Sequence, residues 1–394
     1  MILEGSITMK TIGIGLIGCG KRLQGVVRRL VKEYPEVVEV RALCDPDPES
    51  ITESREAFNP DAREYTDYKD LVTDNRIEWV MIGSWNCFHR EHAVAALEAG
   101  KHVFCEKPLA TTIKDCVAMK NTWEASGRMF NIGFTLRYSP HYRKIVEIIQ
   151  SGKIGDIISM EFNETLDFNH GGFIMKDWRR LTANAGTHLL EKCCHDIDLV
   201  NWITGSRARR AASFGDRNFF HPENQAFAQG LGSNRDGKGA YMTWRNRKQI
   251  SPFTADKDVV DNQVAIIEYE NNIRATFHTN TNTIIPERRM YICGSRGTLR
   301  ADVLTGQIEH QRIGFDTERC KLNPIKGSGH GGGDEVLVRE LGESMLQGTT
   351  PSAGLIDGLN SAVTCFGIDQ AMESGCVFDL KEYWDQIDNT DNSI

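Results

Sequence analysis

The sequence predicts an α/β domain with a parallel sheet, followed by an α+β domain with a large, mostly antiparallel sheet. A chain of 394 residues is too long for one ordinary hydrophobic core, so two domains are expected. Short apolar runs alternate with helical patterns in the first third, and stretches of alternating polarity fill much of the remainder. We predict that the domains comprise residues 1–135 and 136–394.

The first domain is predicted from four short apolar runs with helical patterns between them. The runs are Ile12–Ile17, Val38–Cys44, Trp79–Ile82 and His102–Cys105. Between the last two, Ala93, Ala96 and Leu97 recur at helical spacing, and Gly100 is placed to end that helix. Buried strands joined by crossover helices form a parallel sheet, so the pattern indicates a fold of the Rossmann type.

The second domain is predicted from alternating polarity. Residues 264–269, 273–278 and 289–293 alternate apolar and polar side chains, and turn residues such as Asn271-Asn272 separate them. This alternation is typical of antiparallel strands with one buried face. From about Leu355 the pattern is helical again, and we expect these C-terminal helices to pack back on the first domain.

Composition excludes several classes of protein. Hydrophobic residues make up 40% and charged residues 25% of the chain, and no apolar run is long enough to span a bilayer. The net charge of −8 argues against a nucleic-acid-binding surface. Eleven scattered cysteines without CxxC pairs, and residues 1–10 without the apolar core of a signal peptide, indicate reduced thiols and a cytoplasmic location. We expect a small-molecule partner rather than nucleic acid or a membrane.

Two overlapping glycine patterns occur in the stretch TIGIGLIGCGKRLQG. Gly13-x-Gly15-x-x-Gly18 completes a dinucleotide-binding fingerprint. Gly18-x-Gly20 begins the same pattern again but has Leu23 at the third glycine position. A phosphate-binding turn follows a strand and begins a helix, and only the second pattern does so. We therefore predict that Gly18 and Gly20 form the turn. Gly13 and Gly15 are then strand residues, and Leu23 is expected to hold the helix slightly away from the sheet.

Asp45 distinguishes between the two nicotinamide cofactors. It lies at the end of the second predicted strand, 25 residues after Gly20, and no arginine directly follows it. A carboxylate at this position accepts hydrogen bonds from the ribose hydroxyls of NAD and repels the 2′-phosphate of NADP. NAD is therefore favoured, although Lys21 and Arg22 are cations that a 2′-phosphate would attract. The simpler interpretation of the surrounding DPDP sequence is an ordinary turn.

Several motifs occur in the order found in a known family. They are Asn86-x-x-His89, Cys105-Glu106-Lys107-Pro108, Arg137-Tyr138-Ser139-Pro140, Gly152-Lys153-Ile154-Gly155, Trp178-Arg179, His195-x-x-Asp198 and Gly294-Ser295-Arg296-Gly297-Thr298. Together, over nearly the whole chain, they make the sequence similar to the Gfo/Idh/MocA family of NAD(P)-dependent oxidoreductases. The resemblance implies a Rossmann domain and a large sheet whose open face forms the interface of a homo-oligomer, a dimer or a tetramer. It also implies a substrate among the sugars, inositols and related polyols.

The resemblance assigns roles to three residues. Lys107 matches the lysine of the family's EKP motif, which contacts both the nicotinamide and the substrate hydroxyl, and the Lys-Pro bond there is often cis. His195 matches the histidine that exchanges the hydroxyl proton. Glu191 stands where the family usually has an aspartate, four residues before that histidine. This difference bears on the substrate class more than on the reaction type.

These residue types suit the oxidation of an alcohol. The reaction needs a hydride acceptor, a base for the hydroxyl proton and positive charge near the developing alkoxide. NAD would be the hydride acceptor, His195 the base and Lys107 the positive charge. We also expect a nearby nicotinamide cation to lower the pKa of Lys107. A single helix over residues 189–202 would place His195 between two carboxylates. Of these, Glu191 is expected to reach the substrate and Asp198 to be structural.

The complete predicted site includes further residues. The predicted catalytic residues are Lys107, His195 and Glu191. The predicted cofactor contacts are Gly18, Cys19, Gly20, Lys21, Arg22, Asp45, Ser84, Asn86, His89, Glu106 and Lys107. The predicted substrate contacts are Lys107, Arg137, Trp178, Arg179, Glu191, His195 and His330. Arg179 either binds a substrate or cofactor oxygen or braces the two domains. His330 is either a substrate contact or part of a glycine-rich entry to a helix whose predicted N-cap is Asp334. No metal site is predicted, because Cys193 and Cys194 would point about 100° apart on a helix.

Three functions are compatible with the sequence. The leading hypothesis is hydride transfer between NAD and a secondary hydroxyl of a sugar, sugar derivative or cyclitol, with Lys107 and His195 in a proton relay. The second is a glycosidase that uses NAD in a transient cycle of oxidation and elimination, as some members of the resembled family do. The third is a non-catalytic NAD-binding sensor, and the presence of both Lys107 and His195 argues against it.

Overall fold

The computed structural model of the protein describes residues 11–244 and 250–389. Its first part consists of strands β1 (Ile12–Ile17), β2 (Val38–Cys44), β3 (Arg63–Glu64), β4 (Trp79–Ile82), β5 (His102–Cys105) and β6 (Phe130–Ile132), and of helices α1 (Lys21–Glu33), α2 (Pro48–Phe58), α3 (Tyr68–Thr73), α4 (His89–Glu98) and α5 (Ile113–Ser126). The six strands are parallel and lie in the order β3-β2-β1-β4-β5-β6. This is the predicted Rossmann arrangement, and the strand order reverses beside β1, where such folds bind ligands.

Strand β1 is buried along its whole length. A Cβ added to Gly13 would lie 1.9 Å from the carbonyl oxygen of Arg76, and one added to Gly15 would lie 2.8 Å from the side chain of Ile77. Both glycines are therefore strand residues at points of close packing, and this prediction is confirmed.

The second part is built around a nine-stranded sheet. It consists of helices α6 (Pro140–Gln150), α7 (Phe168–Ile174), α8 (Thr182–Ala185), α9 (Cys194–Thr204), α10 (Gln225–Gly230), α11 (Gly333–Gln347), α12 (Leu355–Ser374) and α13 (Lys381–Asp388), and of strands β7 (Ile157–Asp167), β8 (Ala208–Asp216), β9 (Asn262–Tyr269), β10 (Arg274–Thr283), β11 (Arg289–Gly294), β12 (Gly297–Asp302), β13 (Gln307–Arg312), β14 (Cys320–Lys321) and β15 (Phe378–Asp379). The strand order is β14-β13-β12-β11-β7-β10-β9-β8-β15, with β7 and β10 parallel and the other neighbours antiparallel. The predicted fold class is confirmed.

The two faces of this sheet differ in exposure. Helices α9 and α12 pack on one face, where Ile267 and Phe277 are buried. The opposite face leaves Phe214 70% and Ile266 59% exposed. The alternation in the sequence therefore reports one buried face, as predicted. The strand expected over residues 273–278 is longer, because β10 continues beside β7 as far as Thr283.

Two predicted local features are wrong. The single helix expected over residues 189–202 is a π-helical turn, Leu189–Cys193, followed by α9. The N-cap of α11 is Gly332, in a left-handed conformation, and not Asp334. Both differences arise where side chains from distant segments bind this part of the chain, as described below.

The C-terminal helices contact the first part of the chain. Helix α11 lies against α1, where the Tyr34 hydroxyl donates a hydrogen bond to the carbonyl of Arg339 at 3.0 Å. Helices α12 and α13 contact α5, and Asn131 and Gly354 form a bridge at the end of β6. The division of the chain at residue 135 stays a prediction. None of the described helices is long and apolar enough to cross a membrane.

Candidate active site

The turn after β1 requires glycine at its first position. Gly18 has a φ of +83°, and its N–H donates a hydrogen bond to the Cys44 carbonyl at 2.9 Å. A Cβ on Gly18 would lie 2.3 Å from the backbone nitrogen of Ser84. Gly20 is the N-cap of α1, and a Cβ there would meet no atom within 4 Å. The N-terminus of α1 thus opens onto free space, which is the environment that a pyrophosphate needs.

Leu23 packs against a glycine on the facing strand end. Its side chain is fully buried, and a Cβ added to Gly83, directly after β4, would lie 2.6 Å from Leu23 Cβ. A third glycine in the fingerprint usually lets the helix approach the sheet closely. Here Gly83, on the side of the sheet, allows that approach instead. The predicted displacement of α1 is therefore not needed to accommodate Leu23.

Asp45 lies beside the glycine turn. One carboxylate oxygen accepts the Cys19 N–H at 2.6 Å, and the other accepts the Asp47 N–H at 2.8 Å. The adjacent Lys21 is largely exposed, and its ammonium group is 2.6 Å from the Glu53 carboxylate. Asp45 thus braces the turn from a half-buried position at the predicted ribose site.

Arg22 and Glu106 bind each other. Arg22 Nε is 2.9 Å from Glu106 Oε1, Nη1 is 2.6 Å from Asp334 Oδ1, and Nη2 donates to Thr135 Oγ1 at 2.7 Å. These bonds form a network that ties α1 to the end of β5 and to α11. The cofactor contacts expected of Arg22 and Glu106 stay a prediction. Asp334 is held in the first turn of α11 by this network, and this explains why it does not cap the helix.

The loop after β4 supports the segment that carries Lys107. Asn86 Nδ2 donates to the Ala185 carbonyl at 2.8 Å, and His89 Nδ1 lies 2.8 Å from the Pro108 carbonyl. The second His89 nitrogen is 3.2 Å from the Ser84 carbonyl, and the ring is fully buried. Both side chains thus bind backbone carbonyls. Their expected contacts with the cofactor stay a prediction. The Ser84 hydroxyl lies 2.9 Å from His92 Nδ1, and the Lys107–Pro108 peptide bond is cis.

Lys107 and Glu191 form the centre of the site. The Lys107 ammonium group donates to the Glu191 backbone carbonyl and lies 3.3 Å from Glu191 Oε1. Arg179 Nε donates to the same carboxylate oxygen at 3.0 Å. The two cations hold the pKa of Glu191 well below its usual range, despite its burial. Burial alone would lower the pKa of Lys107, but the charge of Glu191 raises it. The lowering expected beside a bound nicotinamide cation stays a prediction.

His195 is buried in the first turn of α9. Its Nδ1 has no hydrogen-bond partner among the described residues. Burial, and then the charge of Lys107, lower the pKa of His195 well below its ordinary value. The ring of His330 lies 5.7 Å from that of His195, and His330 Nδ1 is 3.0 Å from Asp334 Oδ2. The structure thus brings Lys107, Glu191, His195 and His330 into one cluster.

Arg137 and Asp198 are paired away from this cluster. Arg137 Nε is 2.8 Å from Asp198 Oδ2, and its Nη1 is 2.9 Å from Asp357 Oδ1. Arg137 and Asp198 are both buried, and burial raises the pKa of Asp198 to about 7. The predicted placement of His195 between two carboxylates is therefore wrong, because Asp198 binds Arg137 instead. The predicted substrate contact of Arg137 stays a prediction. Asp198 is structural, as expected.

Trp178 and Arg179 occupy the outer edge of the site. The Trp178 ring stacks on Trp85 with centroids 5.2 Å apart, and the Arg179 guanidinium lies 4.3 Å above the Trp178 ring. Arg179 also binds Asp177 at 2.5 Å. This arginine is thus fixed between an aromatic wall and the Glu191 carboxylate.

Cys193 and Cys194 behave as buried thiols. Both are fully buried, and burial raises the pKa of Cys194 to about 12. Within the described ranges 11–244 and 250–389, no group of three or more His, Cys, Asp or Glu side chains is arranged to hold a metal ion.

Two family models match the chain in succession. An oxidoreductase family with an NAD-binding Rossmann fold matches residues 12–134, and the GFO/IDH/MocA C-terminal domain matches residues 142–300. The chain belongs to the Gfo/Idh/MocA family of oxidoreductases. Its first domain is accordingly the NAD-binding domain of that family.

The relatives of this Gfo/Idh/MocA chain include named dehydrogenases. The oxidoreductase YteT of Bacillus subtilis is 24% identical over 364 residues, which are 80% of this chain and 84% of YteT. The inositol 2-dehydrogenase of Salmonella paratyphi B is 33% identical over 194 residues, 49% of this chain and 54% of that enzyme. The chain thus matches about half the length of the inositol 2-dehydrogenase.

Solved Gfo/Idh/MocA-like structures share the fold over almost the whole chain. Levoglucosan dehydrogenase in complex with NADH and levoglucosan superimposes with a TM-score of 0.77 at 18% identity, covering 94% of this chain and 100% of that one. The myo-inositol 2-dehydrogenase of Lactobacillus plantarum gives a TM-score of 0.72 at 22% identity, covering 94% and 99%.

Sequence reasoning missed a buried ion network behind the Gfo/Idh/MocA lysine and histidine. Lys192, directly after Glu191, lies 2.9 Å from Glu164. Arg288 lies 3.0 Å from Glu164 and 2.6 Å from Asp196, which directly follows His195. The partners come from β7 and from the segment before β11, so no local pattern joins them. The only available signal was the presence of charges in an otherwise apolar stretch.

Proposed function

We propose that this chain is an NAD-dependent dehydrogenase that oxidises a secondary hydroxyl of a sugar, sugar derivative or cyclitol. The observation that carries the proposal is the cluster of Lys107, Glu191 and His195 at the carboxyl end of β5. Lys107 comes from the nucleotide-binding domain, and the buried Glu191 and His195 come from the second part of the chain. Membership of the family and relatives that are named inositol 2-dehydrogenases support the substrate class.

The chemistry follows from the charges of the side chains. Lys107 is protonated at neutral pH because its pKa is raised, so it can stabilise the alkoxide that forms when the hydroxyl loses its proton. His195 is neutral because its pKa is lowered, so it can accept that proton. Glu191 holds the Lys107 ammonium group in place. NAD, when bound, would supply the hydride acceptor, with Gly18 and Gly20 leaving room for its pyrophosphate.

The environment of the ribose site supports NAD over NADP. Asp45 would place a carboxylate beside a 2′-phosphate. Arg22 is one of the two cations that a 2′-phosphate would attract, but its three guanidinium nitrogens bind Glu106, Asp334 and Thr135. Neither feature favours the additional 2′-phosphate of NADP. We therefore expect a lower Kd for NAD than for NADP, and Asp45→Ala is expected to narrow the difference.

The open face of the nine-stranded sheet supports a homo-oligomer. Five apolar side chains on its strands are exposed: Ile158, Phe214, Val264, Ile266 and Tyr291. Phe214 and Val264 are paired across β8 and β9, so the patch is continuous there. Apolar patches of this kind mark association surfaces. Ile266→Lys is expected to reduce the molecular mass seen by light scattering.

Absorbance at 340 nm during a panel of sugars and cyclitols, with NAD and with NADP, tests the proposal. We expect NADH to form with at least one secondary alcohol. Two results would contradict it and match the alternatives. Release of a sugar from a nitrophenyl glycoside with tightly bound NAD and no net NADH would indicate the glycosidase. Binding of NAD without turnover on the whole panel would indicate the sensor.

A further inference from the structure

Three aromatic rings lie next to the residues that surround the cluster of Lys107, Glu191, His195 and His330. His170 and Phe173 are on α7, and Trp244 is in the long connection between β8 and β9. Trp244 stacks on His170 with centroids 4.5 Å apart and planes 19° apart, and it lies 5.0 Å from Phe173. Trp244 is 43% exposed. We call these three residues the aromatic platform.

The platform contacts the site from two sides. On one side, the Arg179 guanidinium lies 5.5 Å above the Phe173 ring while its Nε binds Glu191. On the other side, His170 is close enough to Lys192, Glu164 and Glu191 for their charges to act on it. A chain of contacts, from Trp244 to Phe173 to Arg179, thus joins the exposed indole to Glu191.

Contacts with α7 fix the segment that carries Trp244. Tyr241 donates its backbone N–H to Asn169 Oδ1 at 2.9 Å, and its carbonyl accepts from Lys176 Nζ at 2.9 Å. Gly172 allows this approach, because a Cβ there would lie 2.5 Å from the Tyr241 carbonyl oxygen. Tyr241, three residues before Trp244, is thus held against α7 by its backbone.

We propose that the aromatic platform binds a second ring of the substrate, next to the ring whose hydroxyl is oxidised. The C–H face of a sugar ring packs well on an indole, while its hydroxyls remain in water. A single ring held by Lys107, Glu191 and His195 would leave Trp244 in solvent. The substrate class is then a disaccharide or other glycoside, rather than a free monosaccharide or cyclitol. This inference rests on the proposed function.

The test compares one-ring and two-ring substrates. Glucose with cellobiose and maltose, and galactose with lactose, are assayed as NADH formation by the wild-type enzyme, Trp244→Ala and Trp244→Phe. Phe227→Ala is the matched control, because Phe227 is an exposed aromatic residue in the same connection and lies outside the platform. We expect Trp244→Ala to lower kcat/KM for a two-ring substrate about 3- to 10-fold with little change for its one-ring counterpart. Trp244→Phe is expected to restore most of the loss, and Phe227→Ala to have no effect.

Calorimetry separates the failure of this inference from the failure of the proposed function. The same sugars are titrated into the protein with saturating NAD, whether or not they are oxidised. Two-ring sugars that bind no more tightly than single rings, or a Trp244→Ala variant that loses affinity for both equally, would overturn the platform. A change in oligomeric state of Trp244→Ala without a change in ring preference would assign this face to a second copy of the chain instead.

Discussion

The cofactor side and the reacting side of this site are built from different kinds of contact. The cofactor side depends on backbone: the φ of Gly18, the space in front of Gly20 and the Cys19 N–H bound to Asp45. The reacting side depends on buried charged side chains, with Lys107 and Glu191 at its centre. Backbone features are local in sequence, whereas ion pairs join distant segments. A sequence motif can therefore predict the backbone contacts of the cofactor side, but it cannot predict the ion pairs of the reacting side.

Removal of the Lys107 charge is expected to have the largest effect. Lys107→Met should lower kcat by about 10²- to 10⁴-fold, since it removes the cation that stabilises the developing alkoxide and thereby slows proton transfer to His195. NAD affinity, measured by protein fluorescence, should change little. Lys114→Met is the control, because this exposed lysine on α5 lies outside the cluster. An equal loss in both variants would mean that the effect is not specific to the site.

The two glycines of the turn are expected to differ. Gly20→Ala should leave stability unchanged, because its Cβ has space in the protein, but should weaken NAD binding roughly tenfold, because the methyl group lies where the pyrophosphate approaches. Gly18→Ala should lower the free energy of unfolding by about 1–3 kcal/mol through its positive φ and its clash with Ser84. Urea unfolding and NAD titration check both. The same loss of stability in both variants would contradict the difference between these positions.

The pH dependence of oxidation tests the reacting side. In the proposed mechanism His195 is the neutral base, and its lowered pKa keeps it neutral below the usual histidine range, so kcat/KM should not fall between pH 8 and pH 6. Lys107 is the proposed cation, and its raised pKa keeps it charged above the usual lysine range. Glu191→Gln removes the charge that raises the pKa of Lys107 and leaves burial, which lowers it. The alkaline limb should therefore move about 1–3 units towards lower pH.

The control for this shift is Glu98→Gln, an exposed position at the end of α4. An alkaline limb that stays at the same pH in Glu191→Gln would show that the Lys107–Glu191 pair does not govern it.

The contact between Leu23 and Gly83 is expected to affect the free energy of unfolding. Gly83→Ala should cost about 1–3 kcal/mol of stability, because its Cβ would lie 2.6 Å from Leu23 Cβ. The cost should shrink in a Leu23→Gly background. Gly25→Ala, in the same helix with no atom closer than 3.6 Å, should be neutral or stabilising. Equal costs of Gly83→Ala in the two backgrounds would contradict the contact.

The fold was readable from the sequence because periodicity reports burial directly. The apolar runs of β1, β2, β4 and β5 match the predicted ranges, and alternation located β9 and β11. Gly18 and Gly20 were distinguished from Gly13 and Gly15 because a turn must follow a strand. The boundaries failed where the chain departs from regular geometry, as in the π-helical turn before α9.

The partners of charged residues were not readable, because spacing along one helix cannot show what packs on it. Asp198 pairs with Arg137, 61 positions earlier, and not with His195 three positions away. The charge of Glu191 that raises the pKa of Lys107 comes from a residue 84 positions away, and no local pattern joins the two. In the same way, the ties of Arg22 to Glu106 and Asp334 depend on helices that meet only in the folded chain.

The central claim is that His195 accepts the hydroxyl proton beside a charged Lys107. Single-turnover NADH formation at 340 nm, with a substrate found in the panel, tests it most directly in wild-type and His195→Asn protein. We expect the variant to bind NAD normally and to transfer hydride about 10²- to 10⁴-fold more slowly. A single-turnover rate close to that of the wild type would contradict the assignment of His195 as the base.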